Sequence, residues 1–206
     1  MDYLSLIERA GGLPFVETSA LRAWGEDPRL VSVQLSRWVR AGKLMQLRRG
    51  LYLLPRALRR MTVPVEYIAN ALVTPSYVSL QRALAIYGMI PERVPLIQSV
   101  TTARAGRFST PEGRFDYRHV KSDWFGGYVE RPFASGSALV ATPEKALLDL
   151  IWLSPGRFTR ARVEELRLQE THQVDLERLN EMAAGRGSRI EEAAHLLSRE
   201  IRRERR

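Results

Sequence analysis

The chain has 206 residues, 45% of them hydrophobic, which is enough for one large domain or two small ones. It carries 32 Lys and Arg against 23 Asp and Glu, a formal net charge of +9, and it contains no cysteine. Disulfide bonds, cysteine zinc sites and cysteine nucleophiles are therefore excluded, and no apolar stretch approaches the ~20 residues of a membrane helix. Since the N-terminus also lacks a basic start followed by an apolar core, we expect a cytoplasmic protein that does not bind membranes.

The positive charge is concentrated near the N-terminus. Residues 1–60 hold 11 basic and 5 acidic residues, a net charge of +6. Residues 61–206 hold the other 21 basic and 18 acidic residues, a net charge of +3. Nearly all of the basic residues are arginines, whose planar side chains bind phosphate groups and guanine edges through two N–H groups at once. The composition of the N-terminal part therefore favours a nucleic-acid partner.

Two short helices are expected before residue 27. Apolar residues at helical spacing predict the first helix over Asp2–Ala10, followed by a Gly11-Gly12 stop. Thr18 or Ser19 can cap a short second helix that ends near Gly25. The apolar face of the first helix would consist of Tyr3, Leu4, Ile7 and Ala10.

A longer helix is predicted to begin after Asp27. This aspartate can cap the N-terminus, Pro28 suits the first helical position, and Gly42 ends the helix. At about 100° per residue, one face is apolar and comprises Val31, Leu35, Trp38 and Val39. The opposite face contains no acidic residue and comprises Arg29, Val33, Ser36, Arg37 and Arg40.

A β-hairpin is predicted directly after this helix. Two short apolar runs, 44–47 and 51–54, are separated by Arg48, Arg49 and Gly50, and a three-residue connection containing glycine is typical of a hairpin. A basic helix followed by a basic hairpin is the arrangement of a winged helix-turn-helix, in which the helix enters the major groove and the wing contacts phosphate or the minor groove. The alternative is an ordinary amphipathic helix whose charged face is only solvated.

We therefore predict an α+β protein with two domains. Residues 1–60 would form a winged helix-turn-helix DNA-binding domain, and residues 61–206 a mixed α/β domain with a helical C-terminus. In the second domain we expect a helix over 64–71, a helix ending at Tyr87, a hairpin over 108–120 and a strand over 137–141. Three helices would follow, over about 159–170, about 175–184 and from Ser188 onward.

The clearest helix of the second domain is predicted to begin at Pro143, with Thr142 as its cap, and to be buried because it is nearly all apolar. Lys145 and Asp149 are four residues apart on it, which predicts a local ion pair at the helix start.

Four smaller expectations concern helix caps, Tyr77 and the chain end. A serine of the stretch 76–80 would cap the helix that follows, while Tyr77 would pack in the core. Ser188 and Glu191 have the spacing of a capping box. The charged tail from Arg199 to Arg206 is expected to fray.

No cofactor, metal site or catalytic site is expected. The three histidines, His119, His172 and His195, are scattered and have no paired acid at ligand or general-base spacing. The sequence contains no GxGxxG, Walker or GxSxG motif. We therefore expect a protein that is not an enzyme.

Three motifs occur in an order that resembles a known family. They are GKL…LRRGLY over Gly42–Tyr52, PSYVSL…AL…YG over Pro75–Gly88, and ATPEKALLDL over Ala141–Leu150. From near residue 1 to about residue 155, the chain resembles the AbiEi antitoxins of type IV toxin–antitoxin and abortive-infection (phage defence) systems.

The resemblance implies a transcriptional autorepressor that binds inverted repeats of double-stranded DNA in its own promoter, with two copies on the DNA. It also implies an antitoxin that counteracts a nucleotidyltransferase-like toxin without a stable complex. Carried onto this chain, the arginines at 56, 59 and 60 would support phosphate contacts. The DNA-contacting residues would be Arg29, Ser32, Ser36, Arg37 and Arg40 on the helix, and Arg48 and Arg49 on the wing.

Three alternatives remain at this point. The chain could be a stand-alone winged-helix transcriptional regulator without a toxin. Its C-terminal domain could be enzyme-like and modify the toxin or its nucleotide substrate. A basic RNA-binding module is a third possibility, although the sequence shows no platform of aromatic residues of the kind that stacks single-stranded RNA bases.

Overall fold

The computed structural model describes residues 2–23 and 27–205, with only the backbone of Arg22 and Pro28. The predicted end of the second helix near Gly25 lies outside the described residues. The chain has the predicted α+β class and divides into two compact units. The first is Met1–Pro64 with Pro132–Gly136, and the second is Val65–Arg131 with Ser137–Arg206.

In its described residues, the first unit contains three α-helices and a small antiparallel sheet. The strands lie in the order β1-β3-β2. A 3₁₀ turn, Arg56–Leu58, follows the last strand. The elements are α1 (Tyr3–Ala10), β1 (Val16–Glu17), α2 (Thr18–Ala23), α3 (Pro28–Arg40), β2 (Met45–Arg48) and β3 (Leu51–Leu53).

The predicted start and end of α3 are confirmed. The Asp27 carboxylate accepts a hydrogen bond from the Arg29 N–H at 2.8 Å, which satisfies one of the free donors of the first turn. At the other end, Gly42 has a φ of +67°, and the Lys43 N–H donates to the Trp38 carbonyl at 2.8 Å. This reversed bonding through a left-handed glycine is the usual way for a helix to end.

One face of α3 supplies the core of the first unit, as predicted. Val31, Leu35 and Trp38 are buried, and Val39 packs against them at the edge. The buried residues that share this cluster are Leu6, Ala10, Val16, Leu21, Leu44, Tyr52 and Leu54.

The apolar face of α1 differs from the prediction. Leu4 is 72% exposed, whereas Leu6 is fully buried. Tyr3, Ile7 and Ala10 do pack into the core. Around the helix axis, Leu6 and Ile7 lie within about 60° of the core-facing Tyr3, whereas Leu4 lies about 100° away from it. The assignment of Leu4 to the apolar face was therefore wrong.

The hairpin forms where it was predicted, with a shorter connection. Arg48 pairs with Leu51, so the turn consists of Arg49 and Gly50, with Gly50 at a φ of +83°. The register shifts between Gln46 and Arg48, which inserts one extra residue into β2. The prediction of a three-residue connection is wrong because this bulge places Arg48 in the strand.

The second unit is built on a mixed six-stranded sheet in the order β6-β7-β5-β4-β9-β8. β4 is antiparallel to β5 and parallel to β9, and β6 and β7 form the predicted hairpin. The strands are β4 (Ser76–Val78), β5 (Leu96–Thr101), β6 (Gly106–Thr110), β7 (Gly113–His119), β8 (Tyr128–Phe133) and β9 (Gly136–Ala141). β8 was not predicted.

Helices cover both faces of this sheet. The Tyr117 hydroxyl donates to the Ala69 carbonyl of a helix on one face, at 2.6 Å. Tyr77 is paired with Val100, which is paired with Arg118, so these three side chains lie on one face of the sheet. Tyr117 is the neighbour of Arg118 along the strand and therefore lies on the opposite face from Tyr77. The helices are α4 (Val65–Leu72), α5 (Leu80–Ile86), α6 (Pro143–Leu153), α7 (Arg160–Glu165), α8 (Leu176–Ala183) and α9 (Ser188–Glu204).

Two predictions at the C-terminus are wrong. Gly187, not Ser188, holds the N-cap position of α9, and the Glu191 carboxylate accepts from the Gly185 N–H at 2.8 Å, so no capping box forms. The tail is also ordered through Arg205, whose guanidinium donates to the Val174 carbonyl at 2.8 Å. Throughout the described part of the chain, no helix has both the length and the hydropathy to cross a bilayer.

Candidate functional site

The exposed face of α3 is basic and contains no acidic residue. Arg29, Arg37 and Arg40 are exposed, directly opposite the buried Leu35 and Trp38. At about 100° per residue, the three arginines lie within about 80° of one another around the helix. The sequence around them extends this property, since residues 28–65 contain nine basic residues and no acidic one.

The two serines of this face are also exposed. The Ser36 hydroxyl donates to the Ser32 carbonyl one turn earlier, at 2.9 Å. Its proton is therefore engaged with the helix, which leaves the hydroxyl oxygen as a hydrogen-bond acceptor.

The hairpin presents both of its predicted arginines, Arg48 and Arg49, as exposed side chains. The run at 56–60 is less uniform than expected. Arg59 is half-buried, and its Nε donates to the Leu54 carbonyl at 2.6 Å, whereas Arg56 and Arg60 are exposed.

Two large apolar side chains interrupt the basic face of α3. Leu30 is 66% exposed and Val33 is 50% exposed. Val33 was assigned to this face from the sequence, but Leu30 was missed because it lies at the edge of the wheel. Leu30, Val33 and Arg37 have i, i+3, i+7 spacing, so the three side chains are neighbours on the helix surface.

A buried polar network lies at the centre of the second unit. The Lys145 ammonium is 2.8 Å from Asp149 Oδ1, and these side chains are 4% and 0% exposed. Tyr77, Ser79 and Trp124 donate to the same carboxylate at 3.1, 2.6 and 2.6 Å. Asp149 thus collects donors from three separate parts of the chain, and its buried charge is compensated.

This network corrects two sequence predictions. Lys145 and Asp149 do form the expected ion pair, but the pair is buried and shared with Tyr77, Ser79 and Trp124 instead of being local to the helix start. Ser79 stands at the N-cap position of α5, but its hydroxyl donates to Asp149 and makes no capping bond. The sequence did contain a signal for such a network, since Ser79, Lys145 and Asp149 are polar residues inside otherwise apolar segments.

Trp124 links the network to its surroundings. Its ring stacks on Trp152 with centroids 4.2 Å apart, and the Lys145 ammonium lies 4.2 Å from its centroid. The Arg186 guanidinium lies 5.6 Å from the same ring. Nearby, Gly127 approaches Lys145 so closely that a Cβ atom would lie 3.0 Å from Lys145 Cγ.

Burial sets the protonation of this network. It lowers the pKa of Lys145, while the adjacent Asp149 charge opposes that shift. Burial also raises the pKa of Tyr77, and the Asp149 carboxylate raises it further, so the phenol stays protonated and donates. Each group is already paired and enclosed, an arrangement suited to holding α5, α6 and the 124–127 loop together.

Within residues 2–23 and 27–205, no three His, Cys, Asp or Glu side chains are grouped so that they could hold a metal ion. The chain matches no protein-family model and no curated protein sequence. The resemblance to the AbiEi antitoxins accordingly rests on the three sequence motifs.

Proposed function

We propose that this chain is a DNA-binding transcriptional autorepressor and that its first unit is a winged helix-turn-helix. In this proposal α2 and α3 are the helix-turn-helix pair, and β2 and β3 form the wing. The observation that carries it is the acid-free stretch 28–65, which exposes arginines both on α3 and at the tip of the hairpin that follows.

The chemistry of the exposed face of α3 fits the major groove. Arginine side chains can donate two hydrogen bonds to O6 and N7 of guanine, and Ser36 offers an acceptor. Arg48 and Arg49 on the hairpin would neutralise phosphates without reading sequence. Two copies on an inverted repeat would place two such helices one helical turn of DNA apart.

We further propose that the protein acts in the cytoplasm as the antitoxin of a type IV system and counteracts a nucleotidyltransferase-like toxin without a stable complex. The support is the resemblance in three motifs. Two of these motifs contribute Tyr77, Ser79, Lys145 and Asp149 to the buried network. In this chain those motif residues stabilise the interior of the second unit. The antitoxic surface would therefore be formed by other, exposed residues of the second unit.

A salt-titrated binding assay on the DNA upstream of the protein's own gene, against a scrambled duplex, tests the repressor function. We expect the upstream DNA to bind more tightly, and this preference to disappear when Arg29, Arg37 and Arg40 are changed to alanine. A matched control changes Arg199, Arg202 and Arg203, three exposed arginines of α9, and removes the same charge. Equal binding to both duplexes by the unaltered protein would refute sequence-specific repression.

Co-expression with the product of the neighbouring gene tests the antitoxin function. The triple alanine variant of α3 should still relieve growth inhibition by the toxin, although it no longer represses a promoter fusion. If the full-length protein gives no relief, the stand-alone regulator is the correct description. Loss of relief in the triple variant alone would show that the first unit takes part in neutralisation.

A further inference from the structure

The basic face of α3 contains an apolar patch formed by Leu30 and Val33. Exposed aliphatic side chains do not improve the solubility of a protein, so this patch needs another explanation. Both side chains leave half or more of their surface in water, at 66% and 50% exposure. Both also lie in the first two turns of the helix, next to Arg29 and Arg37. A surface that serves only to attract phosphate would gain nothing from branched aliphatic side chains at these positions.

We infer that Leu30 and Val33 contact the C5-methyl groups of thymine bases in the operator, an inference that rests on the proposed DNA-binding function. The methyl group of thymine is the one apolar group that the major groove presents, and aliphatic side chains are its usual partners. In helix-turn-helix proteins, the N-terminal residues of the second helix meet the base edges. Leu30 and Val33 occupy that part of α3, and Arg40 lies at its other end.

The neighbouring charges support DNA as the occupant of this patch. Arg29 and Arg37 flank Leu30 and Val33 on the helix surface, and the stretch 28–65 contains no acidic residue that would repel phosphate. An apolar protein partner would have to cover these arginines and leave their charges without counter-charges, which is costly. DNA satisfies both parts of the surface, with phosphates or guanines for the arginines and thymine methyls for the two aliphatic side chains.

The arrangement also predicts the composition of the operator. Leu30 and Val33 are three residues apart, and Arg37 is four residues beyond Val33, so the three side chains span about 10 Å of the helix, the length of about three base pairs. A thymine contacted by Leu30 or Val33 should therefore lie within about three base pairs of a guanine contacted by Arg37.

The test begins with selection of a preferred duplex from a random library by the full-length protein. Each thymine of that duplex is then replaced singly by deoxyuridine, which removes only the methyl group. We expect one or two positions per half-site at which affinity falls by about fourfold, the equivalent of burying one methyl-sized group. Thymines outside the bound site should be insensitive and serve as the internal control.

Two variants connect the effect to these side chains. L30A and V33A should bind the thymine duplex more weakly, and each should lose the sensitivity to deoxyuridine at its own position. The matched control is Leu4→Ala, which removes an equally exposed leucine from α1 and should leave every affinity unchanged.

The outcomes separate this inference from the proposed function. If no duplex is selected, the protein is not a sequence-specific DNA-binding protein and the proposed function fails. If a duplex is selected but deoxyuridine is neutral at every position, or the alanine variants keep the full sensitivity, the repressor function stands and the contact of Leu30 and Val33 with thymine is overturned.

Discussion

Lys145 and Asp149 lie one turn apart on α6, and their ion pair of 2.8 Å is enclosed so completely that neither side chain is more than 4% exposed. Three further donors reach the same carboxylate from β4, the residue before α5, and Trp124. A pair with this spacing on an exposed helix contributes little to stability. Here the same spacing places a compensated charge in the interior of the second unit.

Asp149→Ala should lower the free energy of unfolding by about 3–5 kcal/mol, because it leaves the Lys145 ammonium buried without its counter-charge. Glu164→Ala is the matched control, since Arg160 and Glu164 have the same i, i+4 spacing but are 54% and 61% exposed. It should cost no more than about 1 kcal/mol. Urea unfolding of both variants provides the measurement, and equal costs would contradict the importance of burial.

Gly127→Ala should destabilise the protein more than Gly88→Ala. Both glycines have a φ of +69°, which costs an L-residue about 1–2 kcal/mol. At Gly127 an added Cβ would also lie 2.6 Å from Met182 Cε and 3.0 Å from Lys145 Cγ, whereas nothing lies within 4 Å at Gly88. The difference between the two melting temperatures therefore reports how much the added methyl group disturbs the contacts of the 124–127 loop with α6 and α8. No difference would show that Met182 and Lys145 move aside freely.

Stability should fall as the pH rises above about 10. Burial raises the pKa of Tyr117 above its ordinary value of 10.0, so the unfolded chain releases this proton at a lower pH than the folded chain does. The folded state then holds more protons, and each such tyrosine lowers the free energy of unfolding by up to about 1.4 kcal/mol per pH unit. Below pH 10 this contribution is constant.

Tyr117→Phe checks this directly. The variant should lose about 1 kcal/mol at neutral pH, where only the hydrogen bond to the Ala69 carbonyl is missing. Its alkaline loss of stability should be shallower than that of the unaltered protein in urea unfolding at a series of pH values. Parallel curves would show that Tyr117 does not contribute to alkaline unfolding.

The proposed DNA-binding function predicts that changing Arg48 and Arg49 to alanine weakens binding to all DNA sequences by a similar factor. If each arginine neutralises one phosphate, the slope of log affinity against log salt should become less steep by about 1.8. Changing Arg199 and Arg202 on α9 removes the same charge and should leave the slope unaltered. A slope that changes equally in both double variants would indicate a general charge effect instead of a wing contact.

Local patterns were sufficient for the elements whose signals lie within one segment. The cap at Asp27, the glycine stop at Gly42 and the cap at Thr142 each correctly predicted a helix end. The apolar side of α3 followed from its 3.6-residue period. The hairpin was predicted in place, but its bulge was not, because the extra residue is decided by pairing between strands and not by the turn sequence.

The buried network shows why the rest could not be predicted. Tyr77 and Asp149 are 72 positions apart, and only the folded sheet brings the hydroxyl to the carboxylate. The same applies to the tail, where Arg205 is fixed by the carbonyl of Val174. A charged C-terminus has no local pattern that distinguishes an anchored helix end from a frayed one.

The stack of Trp124 on Trp152 makes the second unit optically distinctive. Two indoles with centroids 4.2 Å apart and rings inclined by only 18° are close enough for their electronic transitions to couple, so we expect the stack to add a band to the circular dichroism of the indoles. This band depends on the 124–127 loop remaining packed on α6 and disappears when that contact opens. It therefore supplies a spectroscopic signal, present in the unlabelled protein, with which the unfolding of the second unit can be followed separately from that of the first.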